Sequence, residues 1–334
     1  MKRVLIVGDG GWRTAMAFHL AKKGLHVALW SFDEKYARHL REHRTNPKFL
    51  PGIAIPADVK ISSDFESLLP GAELVVSAVP TEFLRPVWTA HASSLPPRVP
   101  IVSLTKGVEQ GTLLRPTEVL RQVTGRHPIA VMSGPNIAME VAKGWPAATV
   151  VAGEDKHAIA SIREHFSSGT FRVYSNADAI GVELGGALKN VIALAAGLCD
   201  GMGLGHNAKA ALITRGVIEI ARLGAALGGE RKTFFGLSGV GDLMTTCYSP
   251  ASRNRTFGER VGRGERPEDV MASTAQIAEG VRSAAPVHDL AAKHRLTLPI
   301  SEEVYRVLYE KKDPKTTVES LMLRGRKDEA EDLL

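Results

Sequence analysis

Up to about residue 178 the chain alternates short apolar runs with longer amphipathic stretches. Val4–Val7, Val27–Trp30, Leu74–Val79, Ile101–Leu104, Ile129–Met132 and Thr149–Ala152 are rich in β-branched residues and mostly end at a Gly, Pro or Ser turn. These runs predict buried strands. Between them Thr14–Lys23, Glu34–His43 and Leu113–Val123 have the length of helices. Strands regularly alternating with helices predict an α/β domain with a mainly parallel, doubly wound sheet, whose ligands gather at the carboxyl ends of the strands.

After Tyr174 the texture changes. Val182–Gly197, Ala208–Leu227, Arg253–Arg263, Pro286–His294 and Glu302–Glu310 carry apolar residues at helical spacing, with almost no alternating strand pattern. The expectation is a first domain over residues 1–178 and an all-helical second domain over 179–334. The mixed acidic and basic tail from Arg324 to Leu334 reads as a frayed helix.

Composition narrows the classes. The 334 residues are 44% hydrophobic, enough for two cores and too many for a disordered chain. No uninterrupted apolar run approaches the roughly 18 residues of a bilayer span, so none is expected. The opening Met1-Lys2-Arg3 precedes only a four-residue apolar run, a strand and not a signal peptide. Cys199 and Cys247 are too few for a disulfide framework or a zinc site, so neither is expected, no metal is expected, and a cytoplasmic location is. The net charge of +6 invites nucleic acid, but the cationic pairs Lys22-Lys23, Arg231-Lys232 and Lys311-Lys312 are short and interleaved with acids. No nucleic-acid partner is expected. Glycine is in excess, 32 of 334 against an average of about 7%.

The first strand runs directly into Gly8-Asp9-Gly10-Gly11-Trp12-Arg13-Thr14-Ala15. In a dinucleotide site the first glycine permits the tight turn, the second lets backbone N–H groups approach the pyrophosphate, and the following helix supplies partial positive charge. Gly8 and Gly10 suit those roles. Arg13 occupies the third glycine position, where a small residue normally allows close helix packing. Either it points to solvent or toward the diphosphate, or it loosens the loop. The second strand ends Trp30-Ser31-Phe32-Asp33; Phe32 and Asp33 favour NAD over NADP, whose 2′-phosphate usually meets an arginine here, although Lys35 is close and Phe32 could be a core residue.

Four further segments bear on chemistry: Leu104-Thr105-Lys106-Gly107, Ser133-Gly134-Pro135-Asn136-Ile137-Ala138, Glu183-Leu184-Gly185-Gly186-Ala187-Leu188-Lys189-Asn190, and Gly239-Val240-Gly241-Asp242 followed by Ser252-Arg253-Asn254-Arg255. Lys189 has apolar neighbours on its helix, with Gly185 and Gly186 a turn earlier leaving room for a ligand. Partial desolvation there would lower its pKa toward the range of proton transfer, although most helix lysines are solvated surface groups. Asp242 could orient Lys189 or simply cap a helix. Arg253 offers a bidentate fork for a phosphate, Asn254 an amide donor and Ser252 a hydroxyl; a basic helix start is the ordinary alternative.

Taken in order, from the glycine loop through Ala278-Glu279-Gly280-Val281-Arg282, these motifs resemble the NAD(P)-dependent glycerol-3-phosphate dehydrogenases of the bacterial type over nearly the whole chain. The resemblance implies a Rossmann-like N-terminal domain, an all-α C-terminal domain, a homodimer and a role in supplying glycerol 3-phosphate for phospholipid synthesis. It implies Lys189 as the general acid/base, Lys106 beside substrate and cofactor, and Asp242 as its partner or a substrate ligand. Gly134, Asn136, Ser252, Arg253 and Asn254 would meet the substrate; relatives commonly carry Ser at the Asn136 position, and the amide can still donate. Gly8, Gly10, Gly11, Trp12, Phe32, Lys106, Ala138, Arg253, Ile277 and Glu279 would meet the cofactor. Trp30-Ser31-Phe32 looks more like the NAD-specific eukaryotic relatives. Two other readings are a related two-domain hydroxy-acid dehydrogenase and, because of Arg13, a catalytically weakened nucleotide-binding protein.

Overall fold

The structure is a computed structural model that describes residues 2–274, 278–325 and 328. The chain separates into two compact units, Met1–Lys106 with Leu114–Ala179 and Gly107–Leu113 with Ile180–Leu334.

The first unit holds ten strands: β1 (Arg3–Val7), β2 (His26–Trp30), β3 (Thr45–Asn46), β4 (Leu50–Ala54), β5 (Lys60–Ser62), β6 (Ala72–Ser77), β7 (Ile101–Ser103), β8 (Ile129–Ser133), β9 (Ala147–Gly153) and β10 (Phe171–Asn176). Eight form one sheet in the order β10-β9-β8-β7-β6-β1-β2-β5, and β3–β4 is a separate hairpin. Every pairing in the large sheet is parallel except β8 with β9, where Met132 faces Val151. Helices cover both faces, which explains the unbroken apolar runs of the central strands. Val4 and Ile6 of β1 pack with Met16, Leu20 and Phe166 on one face, while Leu5 and Val7 pack with Phe65, Leu84 and Trp88 on the other.

The sequence pattern misses β10 because it lies at the sheet edge. Phe171 and Val173 are buried while Arg172, Tyr174 and Ser175 are exposed, so no apolar run forms. The expected helix at Leu113–Val123 starts only at Pro116, and the one expected from Thr14 starts at Gly11. Lys23 secures the helix Lys156–Phe166 by donating from Nζ to the carbonyls of Glu164 (2.8 Å), His165 (2.6 Å) and Ser167, a lysine satisfying last-turn acceptors.

Residues 180–325 of the second unit contain no strand among the described residues. Its axis is the helix Ala179–Gly201, buried from Gly181 to Cys199. By length and composition this helix could cross a membrane, contrary to the expectation from uninterrupted runs, because only Glu183 and Lys189 break its apolar window before Asp200; 89% of that window is buried within the protein's own core. Its small residues let neighbours approach to backbone contact. A Cβ at Gly197 would stand 2.8 Å from the backbone nitrogen of Glu259, and one at Gly258 would strike the Leu194 carbonyl, so the helices Ala179–Gly201 and Arg253–Gly262 cross glycine against glycine.

The expected helix Pro286–His294 begins seven residues earlier, at Glu279, with Pro286 buried inside it. Glu219, fully buried, accepts hydrogen bonds from Ile300 N (2.6 Å), Ser301 N (3.0 Å) and Ser301 Oγ (2.9 Å), closing the start of the helix Pro299–Tyr309. Burial pushes its carboxyl above the usual range while these donors pull it back.

Candidate active site

In the first unit the expected residues fall along one edge of the sheet. β8, β7, β6, β1 and β2 are successive neighbours, and within three residues of their carboxyl ends stand Gly134, Lys106, Ala78, Gly8 and Phe32. Gly8 has φ +114, a conformation that glycine adopts without strain, and turns the chain from β1 into the helix Gly11–Lys22. Gly10 precedes that helix without a side-chain cap, and its first turn holds no acid, so the leading N–H groups are arranged for an anionic ligand. These features fit a dinucleotide diphosphate.

Asn46, fully buried in β3, fixes the loop from behind. Its amide nitrogen donates to the Asp9 carbonyl (2.8 Å) and to Thr14 Oγ1 (2.7 Å), and its Oδ1 accepts from Tyr36 OH (2.6 Å). Burial and the nearby Asp9 push the Tyr36 phenol up to about 12, which keeps it a donor. Ser31 Oγ donates to Asp9 Oδ2. Sequence reasoning misses Asn46 because nothing within a few residues of it signals a partner in the glycine loop.

Phe32 is 80% exposed and is therefore no core residue. Asp33 Oδ1 accepts from Tyr36 N at 2.7 Å and caps the helix Glu34–His43. Gly11 starts the first helix, and a Cβ there would strike the Phe49 carbonyl, so its smallness serves the β3–β4 hairpin. Trp12 and Ala138 share a small apolar cluster with Leu50 and Ala142. Lys106 Nζ lies 3.4 Å from the Gly134 carbonyl. At Gly134 a Cβ would stand 2.9 Å from Thr149 Cα, so the close approach of β9 already requires glycine.

At Asn136 the expected amide donor is engaged: Nδ2 donates to Thr149 Oγ1 at 3.0 Å. Thr149 spends its own hydrogen on the Ser133 carbonyl (2.9 Å), which fixes the amide orientation. Nδ2 carries a second hydrogen, and Oδ1 is a buried acceptor with no hydrogen-bond partner. Such an atom suits a ligand hydroxyl or amide N–H.

The second unit assembles side chains from distant segments. Lys189 is only 5% exposed, and its Nζ donates to Asp242 Oδ1 and to Thr246 Oγ1, both at 2.5 Å. Asp242 opens the helix Asp242–Tyr248 but does not cap it, since Gly241 is the cap residue and has no side chain to bond. The glycines before Lys189 were expected to leave room for a ligand; at Gly185 that room is filled by the protein itself. A Cβ there would stand 2.8 Å from the Ser238 carbonyl, and this contact presses the segment leading to Asp242 against the Lys189 helix. Thr246 has no sequence signal beyond lying one helical turn after Asp242. Burial pushes the nearby Cys247 thiol up to about 12, against the pull of Lys189, which leaves it a protonated core residue.

Next to Lys189, Asn190 accepts at Oδ1 from Asn254 Nδ2 (2.8 Å) and donates from Nδ2 toward Glu279 Oε2 (3.4 Å). Asn254 Oδ1 accepts from Gly280 N at 2.8 Å. The Asn254 amide, expected to reach the substrate, thus ties three helices together, and Ser252 Oγ is engaged as an acceptor for Arg255 N (3.2 Å) while keeping its own hydrogen to donate. Arg253 stands half-exposed at the first position of its helix, 4.0 Å from Glu279 Oε1. Arg255 Nε donates to Asp200 Oδ2 at 2.6 Å, holding that helix start to the end of the Lys189 helix. Ile277 lies outside the described residues. No cluster of metal-ligating side chains occurs among the described residues.

A glycine loop at the switch of a doubly wound sheet, together with a buried lysine–carboxylate pair in a helical unit, defines the class of two-domain nicotinamide-dependent dehydrogenases. The family description "NAD-dependent glycerol-3-phosphate dehydrogenase N-terminus" matches residues 3–159, and its C-terminal counterpart matches 178–319. Glycerol-3-phosphate dehydrogenase [NAD(P)+] from Corynebacterium glutamicum strain R is 45% identical over 99% of this chain and 100% of its own, and that from Frankia casuarinae is 47% identical over 97% of each. A solved glycerol-3-phosphate dehydrogenase from Coxiella burnetii is similar at TM-score 0.93 and 37% identity, covering 97% of this chain and 99% of that one. The chain belongs to the NAD(P)-dependent glycerol-3-phosphate dehydrogenase family.

Proposed function

We propose that the chain interconverts sn-glycerol 3-phosphate and dihydroxyacetone phosphate, with NAD preferred over NADP, as a cytoplasmic homodimer that supplies glycerol 3-phosphate for glycerophospholipid synthesis. The observation that carries the chemistry is the buried Lys189 held by Asp242 and Thr246, in a chain that is 45% identical to such a dehydrogenase over 99% of its length. We take residues 1–178 as the cofactor domain and 179–334 as the substrate domain.

The dinucleotide supplies a hydride acceptor or donor at C2 of the substrate. Gly8, Gly10, Gly11 and Trp12 hold its diphosphate end, and Phe32 borders the ribose without offering a cation to a 2′-phosphate. The resemblance implies Ala138, Arg253, Glu279 and Ile277, the last outside the described residues, as further cofactor ligands. In the reducing direction Lys189 donates a proton to the C2 oxygen as that carbon gains hydride; in the oxidising direction its amine takes the hydroxyl proton. Asp242 and Thr246 hold Nζ, and the resemblance implies that Lys106 stabilises developing charge on the substrate. Arg253 and the opening N–H groups of its helix receive the doubly anionic phosphate, joined by the Ser252 hydroxyl. Asn136, whose amide can donate, meets the substrate together with Gly134.

The assay is NADH and NADPH oxidation by purified protein with dihydroxyacetone phosphate, glyceraldehyde 3-phosphate and simple 2-oxo acids. Turnover of dihydroxyacetone phosphate alone, faster with NADH, is expected. Preference for a 2-oxo acid would establish the hydroxy-acid reading instead, and binding of NADH with no turnover of any substrate would mark a nucleotide-binding protein.

A further inference from the structure

Arg13 is the residue of the glycine loop that a dinucleotide site does not require. It stands where a small side chain ordinarily lets the first helix close on the first strand, and it does not point away to solvent. It is partly buried, and its stem lies across the glycines: a Cβ at Gly8 would stand 2.8 Å from both Cδ and Nε of Arg13, and one at Gly10 would meet its Nη1. Its Nε donates to the carbonyl of Ala78, the first residue after β6.

These contacts join two particular strand ends. β1 is followed in the sheet by β2 on one side, whereas β6 on its other side leads to β7 and β8, so the order reverses between β1 and β6. That reversal opens the crevice in which ligands of such sheets settle. Arg13 spans it, on the side that both glycines leave free of a Cβ. The guanidinium thus occupies the approach to the helix N–H groups. A diphosphate, whose anionic oxygens match the guanidinium fork, is a stronger acceptor for an arginine than a neutral backbone carbonyl such as that of Ala78.

We propose that Arg13 is a resident cation of the dinucleotide cradle, anchored through Nε at the Ala78 carbonyl and placing its guanidinium charge where the diphosphate of the cofactor binds. The proposal rests on the cofactor reading above and deepens it. Its contribution goes to the diphosphate alone, so it is equal for NAD and NADP, absent for a nucleoside and weakened by salt.

The test measures dissociation constants of NADH, NADPH, ADP and adenosine for the full chain as wild type, Arg13→Gly and Arg13→Gln, at low and moderate salt, with circular dichroism to verify folding. Both variants should weaken NADH, NADPH and ADP by about tenfold, leave adenosine unchanged, and flatten the salt dependence for the three anions. Arg13→Gln keeps the bulk and loses the charge, so it separates electrostatics from packing. NADH affinity that is unchanged or improved in both variants would overturn the proposal, as would an equal loss for adenosine. If the wild type itself fails to bind NADH, the cofactor reading falls and this proposal with it.

Discussion

The two units build their sites by different means. The dinucleotide cradle is made largely of main chain: a glycine at φ +114, the uncapped start of a helix, and the ends of five neighbouring strands, with side chains such as Asn46 working from behind. The site proposed for proton transfer is made of side chains: Lys189 meets Asp242 and Thr246 from 53 and 57 residues away, and Asn190 meets Asn254 from 64 and Glu279 from 89. A backbone site tolerates exchange of many side chains because its donors belong to every residue. A side-chain site fails at one position.

Lys189→Ala tests that contrast most severely. It should lower kcat by about 10³- to 10⁴-fold while the NADH dissociation constant stays within twofold, measured by steady-state kinetics and fluorescence titration. A near-normal rate would remove Lys189 from proton transfer.

Asn254→Ala probes the network that carries the helix Arg253–Gly262, proposed to receive the substrate phosphate. Removing the amide leaves Gly280 N and Asn190 Oδ1 buried without their partner, a loss of about 2 kcal/mol. Thermal unfolding should show a lowered Tm, and KM for dihydroxyacetone phosphate should rise more than KM for NADH. An unchanged Tm would mean that water replaces the amide.

The smallest expected effect is in the backbone-built unit. Phe32→Arg adds a cation at an exposed position past β2, which should shift the ratio of kcat/KM toward NADPH by about tenfold without altering the Lys189-dependent chemistry. An unmoved ratio would show that the 2′-phosphate is placed elsewhere.

Legibility in the sequence follows the same divide. The central strands were readable because each is buried on both faces, so Val4–Val7 and Val27–Trp30 are unbroken apolar runs. β10 was hidden by its exposed alternate residues, and Pro286, which reads as a helix start, lies buried within the helix Glu279–Lys293. The glycine loop was legible as a local motif, whereas the role of Lys189 followed only from the order of several motifs along the chain. Asp242 read equally well as a helix cap until the structure put Gly241 in that place.

The sequence by itself determined the α/β and helical halves, the glycine turn after β1 and the set of cations available to a phosphorylated substrate, because periodicity, backbone freedom and charge are properties of neighbouring residues. Tertiary structure decided what each polar group is spent on. It committed Asp33 to a helix cap, Ser252 Oγ to Arg255 N, and the Asn254 amide to Asn190 and Gly280, and it filled the space beside Gly185 with the Ser238 carbonyl. It also laid Arg13 over the glycines instead of in solvent. Hydrogen bonds are short and directional, so which donor reaches which acceptor depends on distances of tenths of an ångström between segments that the sequence keeps far apart.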